Sequence, residues 1–201
     1  PLHAHDRQQQ DTMLTHVEAP HSLTTARLPT LRKNAKFNSP SRVICTGSKL
    51  EKRSELDETT TLDDLRGKND ADDYSLFQAY ANSKHGIHLC VNAMADEDSV
   101  VKYHTASPGM VNSRLNRFVN PSVLFFTWPL RKLLLNTPEH GAASVLHAAT
   151  SHEAAQSTAK FYDSNKPEKG GFGVTQGASV EKKIARRVYG QATIILDEVF
   201  R

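Results

Sequence analysis

Two short β-branched runs flank one long amphipathic stretch, and this arrangement constrains the chain more than any other feature. Arg42-Val43-Ile44-Cys45-Thr46 is bounded by Pro40 and Gly47, and Val100-Val101-Lys102-Tyr103-His104-Thr105 is closed by Ser107-Pro108-Gly109. Both have the length and residue types of strands. Between them, over 74–96, Phe77, Tyr80, Lys84, Ile87, Val91 and Met94 recur at steps of three and four. That is the spacing of one helix face, weakened only by Gly86. Strands alternating with helices predict an α/β fold around a parallel sheet.

The flanking segments fit the same plan. Residues 1–13 are polar, with Gln8-Gln9-Gln10, and are expected to form an unstructured leader to a single domain over 14–201. Leu23, Ala26, Leu28 and Leu31 predict a helix near 22–36 despite Pro29. The charged stretch 49–73 has few large apolar residues and is expected on the surface. Thr137-Pro138-Glu139 reads as a helix start, with a capping hydroxyl, a proline in the first turn and an early carboxylate. Residues 159–162 suggest a last strand, 166–177 a Pro/Gly loop, and Val180, Ile184, Val188, Ile195 and Val199 a closing amphipathic helix.

Composition narrows the classes. Of 201 residues, 25 are Lys or Arg and 22 Asp or Glu, a net charge of +3 that gives no case for nucleic acid. The two cysteines, Cys45 and Cys90, lie in apolar runs and read as core residues of a reducing compartment. The longest apolar run, 123–130, is far short of the roughly 20 residues that span a bilayer. His85 and His88 are three apart and His140 and His147 seven apart, with no third ligand at useful spacing, so no metal site is expected. The opening Pro1 suggests a fragment or a processed product.

Chemistry concentrates in Tyr80-Ala81-Asn82-Ser83-Lys84. A phenol and an ammonium four residues apart share a helix face. A free tyrosine titrates near about pH 10, and a cation beside it favours the phenolate, which suits a general acid/base. Ser48, just past the first strand, offers a hydroxyl to a substrate oxygen.

The order of these pieces resembles the short-chain dehydrogenase/reductase family, and within it the retinol dehydrogenase-like branch that includes the WW-domain oxidoreductase. The resemblance rests on the 42–50 strand and its small residues, Leu62-Asp63-Asp64-Leu65 before the tyrosine, Tyr80 with Lys84, and Pro108-Gly109-Met110-Val111-Asn112-Ser113. Glu139-His140-Gly141-Ala142-Ala143 and Lys160-Phe161-Tyr162 extend it over roughly 14–200. It implies that Ser48, Tyr80 and Lys84 are catalytic. It further implies that Tyr80, Lys84, Pro108, Gly109, Val111 and Ser113 hold NADP or NAD. Residues 118–135, with Phe125, Phe126 and Trp128, would cover a retinoid- or lipid-like alcohol or carbonyl. The setting implied is cytoplasmic or membrane-associated, with any anchor upstream, and a homo-oligomer is open to it.

The departures bear on the cofactor. No glycine precedes Gly47, so the glycine-rich phosphate turn has no counterpart, and on the order of 100 residues of the N-terminal βαβ half are expected to be absent. The expected fold is therefore a partial Rossmann-like, doubly wound parallel sheet. The family's asparagine on the preceding helix falls near His16-Val17-Glu18. Gly171-Phe172-Gly173-Val174-Thr175-Gln176-Gly177 does not open a βαβ unit and is expected to be a loop. Two readings stay open: the catalytic half of an oxidoreductase, and a truncated, non-catalytic member acting through protein contacts.

Overall fold

The computed structural model describes residues 11–35, 39–61, 64, 75–111, 135–168, 171–175 and 182–199. In chain order the strands are β1 (Arg42–Thr46), β2 (Lys102–Ser107), β3 (Lys160–Glu168) and β4 (Gly171–Thr175). The helices are α1 (Ala19–Asn34), α2 (Leu76–Glu97), α3 (Pro138–Thr150), α4 (His152–Gln156) and α5 (Lys182–Val199). β1, β2 and β3 run parallel in that order, with Thr46 opposite Ala106 and Thr105 opposite Phe161. The sheet then closes with β4 antiparallel to β3.

β4 corrects one sequence expectation. The Pro/Gly stretch expected to be a loop pairs with an extended β3, Phe161 facing Thr175 and Tyr162 facing Val174. Its poor strand propensity is overridden by pairing along a neighbour already fixed in the sheet, with an irregularity between Asp163 and Pro167 to absorb the misfit. The glycines of Gly171-Phe172-Gly173 therefore lie in an antiparallel strand rather than at a phosphate-binding turn.

Helices cover both faces of the sheet, as a parallel sheet requires. On one face α2 and α5 pack with the turn before α1, and Cys45, Ile87, Leu89, Val91, Tyr103 and Val188 form the larger core. On the other, α3 lies over β1, β2 and β3, burying Ala106, Ala148, Ala154 and Tyr162 with Ile44 and Val145 at the margin. Alternation along β1 and β2 sends Val43 and Tyr103 to the first core and Ile44 and Ala106 to the second. Among the described residues no helix is long and apolar enough to cross a membrane.

The chain ahead of α1 is irregular for an identifiable reason. Asp11–Met13 are already helical and Met13 is buried, while Leu14–Glu18 form a π-helical turn in which the Ala19 N–H reaches back to the Leu14 carbonyl. Pro20 has no N–H for the His16 carbonyl and its ring crowds that oxygen, so the ladder widens by one residue. Pro29 lies within α1 as well, near its exposed end. The described part of the 49–73 stretch, residues 49–61 and 64, is also less superficial than expected. Lys49–Arg53 form a 3₁₀ helix whose Glu51 is fully buried, and Leu56 and Thr60 are buried too.

Candidate active site

β1 ends against β2, and the Gly47 N–H extends the ladder by donating to the Ala106 carbonyl at 2.9 Å. Gly47 must be small, because a Cβ there would overlap the Thr105 methyl. The next residue, Ser48, caps the 3₁₀ turn: its Oγ accepts the Leu50 N–H at 3.3 Å. That bond uses the oxygen as acceptor and leaves the hydroxyl hydrogen to be donated elsewhere.

The same hydroxyl bears on Tyr80, whose pKa it lowers. α2 begins at Ser75, whose side chain caps the Gln78 N–H, and its second turn carries Tyr80 towards Ser48. Lys84, one turn later, places Nζ 5.7 Å from the centre of the Tyr80 ring and donates to the Thr46 carbonyl at 3.0 Å. The three residues singled out by sequence thus meet at the carboxyl end of β1, the end at which open parallel sheets bind ligands.

Their electrostatics differ from the sequence expectation in one respect. Burial holds the Tyr80 phenol above the ordinary tyrosine value, and the Ser48 hydrogen bond pulls it only part of the way back. The lysine does not lower it. Lys84 stands off the ring and is engaged by a backbone carbonyl, and its own pKa is lowered by burial. At neutral pH the phenol is a proton donor.

Sequence reasoning placed His16 only near the family's asparagine position and weighed His88 only as a metal ligand, and it did not foresee how either packs around this trio. The His16 ring meets Tyr80 edge-on, with centroids 5.6 Å apart and planes at 87°, and His16 Nδ1 lies 2.9 Å from Ser83 Oγ. Behind Ser48, His88 Nδ1 lies 3.1 Å from a carboxylate oxygen of the buried Glu51, and Lys49 is ion-paired with the buried Asp163 of β3. The turn after Ser48 is therefore held from α2 and from the sheet. No local pattern betrays pairs that are 37 and 67 residues apart; the signal for His16 was its place near the family's asparagine.

An apolar cleft of about 430 Å³ opens beside Tyr80, lined by Thr12, His16, Leu50, Leu76, Phe77 and Tyr80. Leu76 and Phe77 are exposed at its mouth. At the end of β2, Pro108 and Gly109 turn the chain, Gly109 with φ of 70°. Ser164 Oγ donates to the Pro108 carbonyl, Ser144 Oγ donates to the Ser107 carbonyl at 3.0 Å, and Val111 pairs with Asn136 ahead of α3. Pro108, Gly109 and Val111 thus border the same sheet end as Ser48. Ser113 and the stretch holding Phe125, Phe126 and Trp128 lie outside the described residues.

A sheet wound by helices on both faces, with polar groups gathered at the carboxyl ends of its parallel strands, defines a Rossmann-like α/β protein. In fold the chain is similar to carbonyl reductase Sniffer of D. melanogaster, with a TM-score of 0.53 at 16% identity, over 89% of this chain and 59% of that one. In sequence it is 32% identical over 136 residues to polyprenol dehydrogenase of Danio rerio, a match covering 65% of this chain and 40% of the relative. The chain spans less than two thirds of the length of either relative. No family model matches. Together these likenesses support a relationship with the short-chain dehydrogenase/reductase family.

Proposed function

We propose that this chain carries the acid/base site of an oxidoreductase that interconverts an alcohol and a carbonyl with NADP(H) or NAD(H), acting on an apolar, retinoid- or lipid-like substrate. The observation that carries the reading is the convergence of Ser48, Tyr80 and Lys84 at one strand end, with the Lys84 ammonium 5.7 Å from the Tyr80 ring and bonded to the Thr46 carbonyl two residues before Ser48. The names of the two relatives agree with it, and a retinol dehydrogenase-like or polyprenol dehydrogenase-like specificity fits the apolar cleft.

In the reducing direction Tyr80 donates its proton to the substrate oxygen, a role suited to a phenol kept protonated by burial. Ser48 supplies a second donor to the same oxygen as negative charge develops on it. Lys84, with only the Thr46 carbonyl as hydrogen-bond partner among the described residues, retains N–H donors for ribose hydroxyls. Pro108, Gly109 and Val111 would border the nicotinamide end of such a ligand, and Ser113 would add a hydroxyl. A bound nicotinamide dinucleotide supplies the hydride. An apolar substrate goes with a cytoplasmic or membrane-associated setting, and a second copy of the chain is a candidate partner.

The test is NADPH oxidation with a retinal-type or polyprenal-type aldehyde, using the full protein that contains this chain. We expect turnover that falls at least about 10²-fold in Tyr80→Phe, the usual scale of a lost general acid. Turnover unchanged by that substitution would end the assignment. Absence of NAD(P)H binding would favour the non-catalytic, protein-binding reading.

A further inference from the structure

The cleft beside Tyr80 is apolar along Leu50, Leu76 and Phe77, but one wall is an imidazole. The state of that ring follows from its neighbour. Ser83 Oγ donates its single hydrogen to the Tyr80 carbonyl at 2.8 Å, so towards His16 Nδ1, 2.9 Å away, it can only accept. The His16 proton therefore lies on Nδ1. Nothing favours a second proton: burial and then the Lys84 charge lower the His16 pKa to about 4. The ring is neutral at ordinary pH, and Nε2 is left as a bare lone pair. Among the described residues no group bonds Nε2, and it is not among the buried atoms that lack a partner, so it is open to a ligand.

A lone pair in an apolar cleft selects for what it binds. A ligand hydroxyl entering the cleft must leave water, and it loses that interaction unless an acceptor awaits it. An ether or hydrocarbon of the same shape would instead cover Nε2 and leave it unsatisfied. We propose that His16 Nε2 accepts the hydroxyl hydrogen of an apolar alcohol lying in the Thr12–His16–Leu50–Phe77 cleft, while Tyr80 donates to the same oxygen. This rests on the oxidoreductase reading and deepens it, making His16 the residue that distinguishes an alcohol from its carbonyl or ether counterparts.

Two measurements on the full protein, made without cofactor or turnover, test it. In long-range ¹H–¹⁵N spectra at neutral pH, His16 should show the Nδ1–H tautomer with an unprotonated Nε2; an Nε2–H tautomer or an imidazolium would overturn the proposal. Titration with 1-octanol should then move the Nε2 resonance, whereas the isomeric heptyl methyl ether should not. Octanol should bind roughly three- to tenfold more tightly than the ether, the size of one net hydrogen bond. His16→Phe should erase that ratio. Equal affinities in the unaltered protein, no octanol binding, or an unmoved Nε2 signal would each refute the idea, and these readouts decide it even if the phenylalanine variant does not fold. Because none requires NAD(P)H, a protein that fails the aldehyde assay can still pass them, and the reverse.

Discussion

The two ends of α2 treat buried polar groups in opposite ways. At its C-terminal end Asp98 is saturated: it accepts from the Val100 and Val101 N–H groups at 2.8 and 3.3 Å, from Arg32 Nε at 2.9 Å and from the Tyr103 hydroxyl at 3.0 Å. Near its N-terminal end Tyr80, Lys84 and His16 crowd together with bonding capacity left over. A cluster in which every lone pair is taken contributes rigidity, because removing any member strands the others. A cluster with spare donors and acceptors contributes little stability but can bind something else. Residue types alone do not separate the two; the completeness of their hydrogen bonding does.

Substitutions can break this contrast, the largest effect coming first. Lys84→Met should cost at least about 10²-fold in kcat/KM, yet leave stability within about 1 kcal/mol, since it replaces a buried cation that has a single hydrogen-bond acceptor among the described residues with an apolar side chain of similar length. Urea unfolding beside the aldehyde assay would check both halves. Asp98→Ala should do the reverse, losing about 3 kcal/mol of stability with kcat of the folded protein unchanged. Equal losses of activity and stability in either variant would erase the distinction.

The pH dependence sharpens it further. Burial alone would raise the Asp98 pKa, but the bonds from Val100, Arg32, Val101 and Tyr103 outweigh it and hold the carboxyl below its ordinary value. A depressed carboxylate stabilises the fold above its unfolded pKa of about 3.9, and that stability is lost as pH falls through the lower folded value. Urea midpoints should therefore drop below about pH 4 in the parent chain, and drop less in Asp98→Asn. The smallest effect belongs to the β2 turn. Gly109→Ala forces a side chain to φ of 70° and should cost about 1 kcal/mol, read as a lowered Tm.

What was legible in the sequence follows the range of the interactions. β1 matches its predicted bounds because a short β-branched run between Pro40 and Gly47 is a local signal. Tyr80 and Lys84 share a side because helical spacing is local as well. β4 was not legible, since its glycines argue against a strand and only the fixed neighbour β3 recruits them. Nor was the acidity of Tyr80: the sequence shows a charge four residues away, but the burial that dominates comes from segments brought in by the fold. Glu51 illustrates the same limit, an acid in a charged stretch that folds inward onto a histidine of α2.

The widened turn at Leu14–Glu18 makes this corner sensitive to chain length rather than to residue identity. Because Pro20 keeps the ladder wide, a one-residue deletion ahead of it would not be absorbed, and everything upstream would swing by about 100°. Met13 would leave the core and Thr12 the cleft, although no residue had changed its chemistry. A single-codon deletion here would thus be more disruptive than most replacements, and insertion–deletion scanning would locate the site without any knowledge of its ligand.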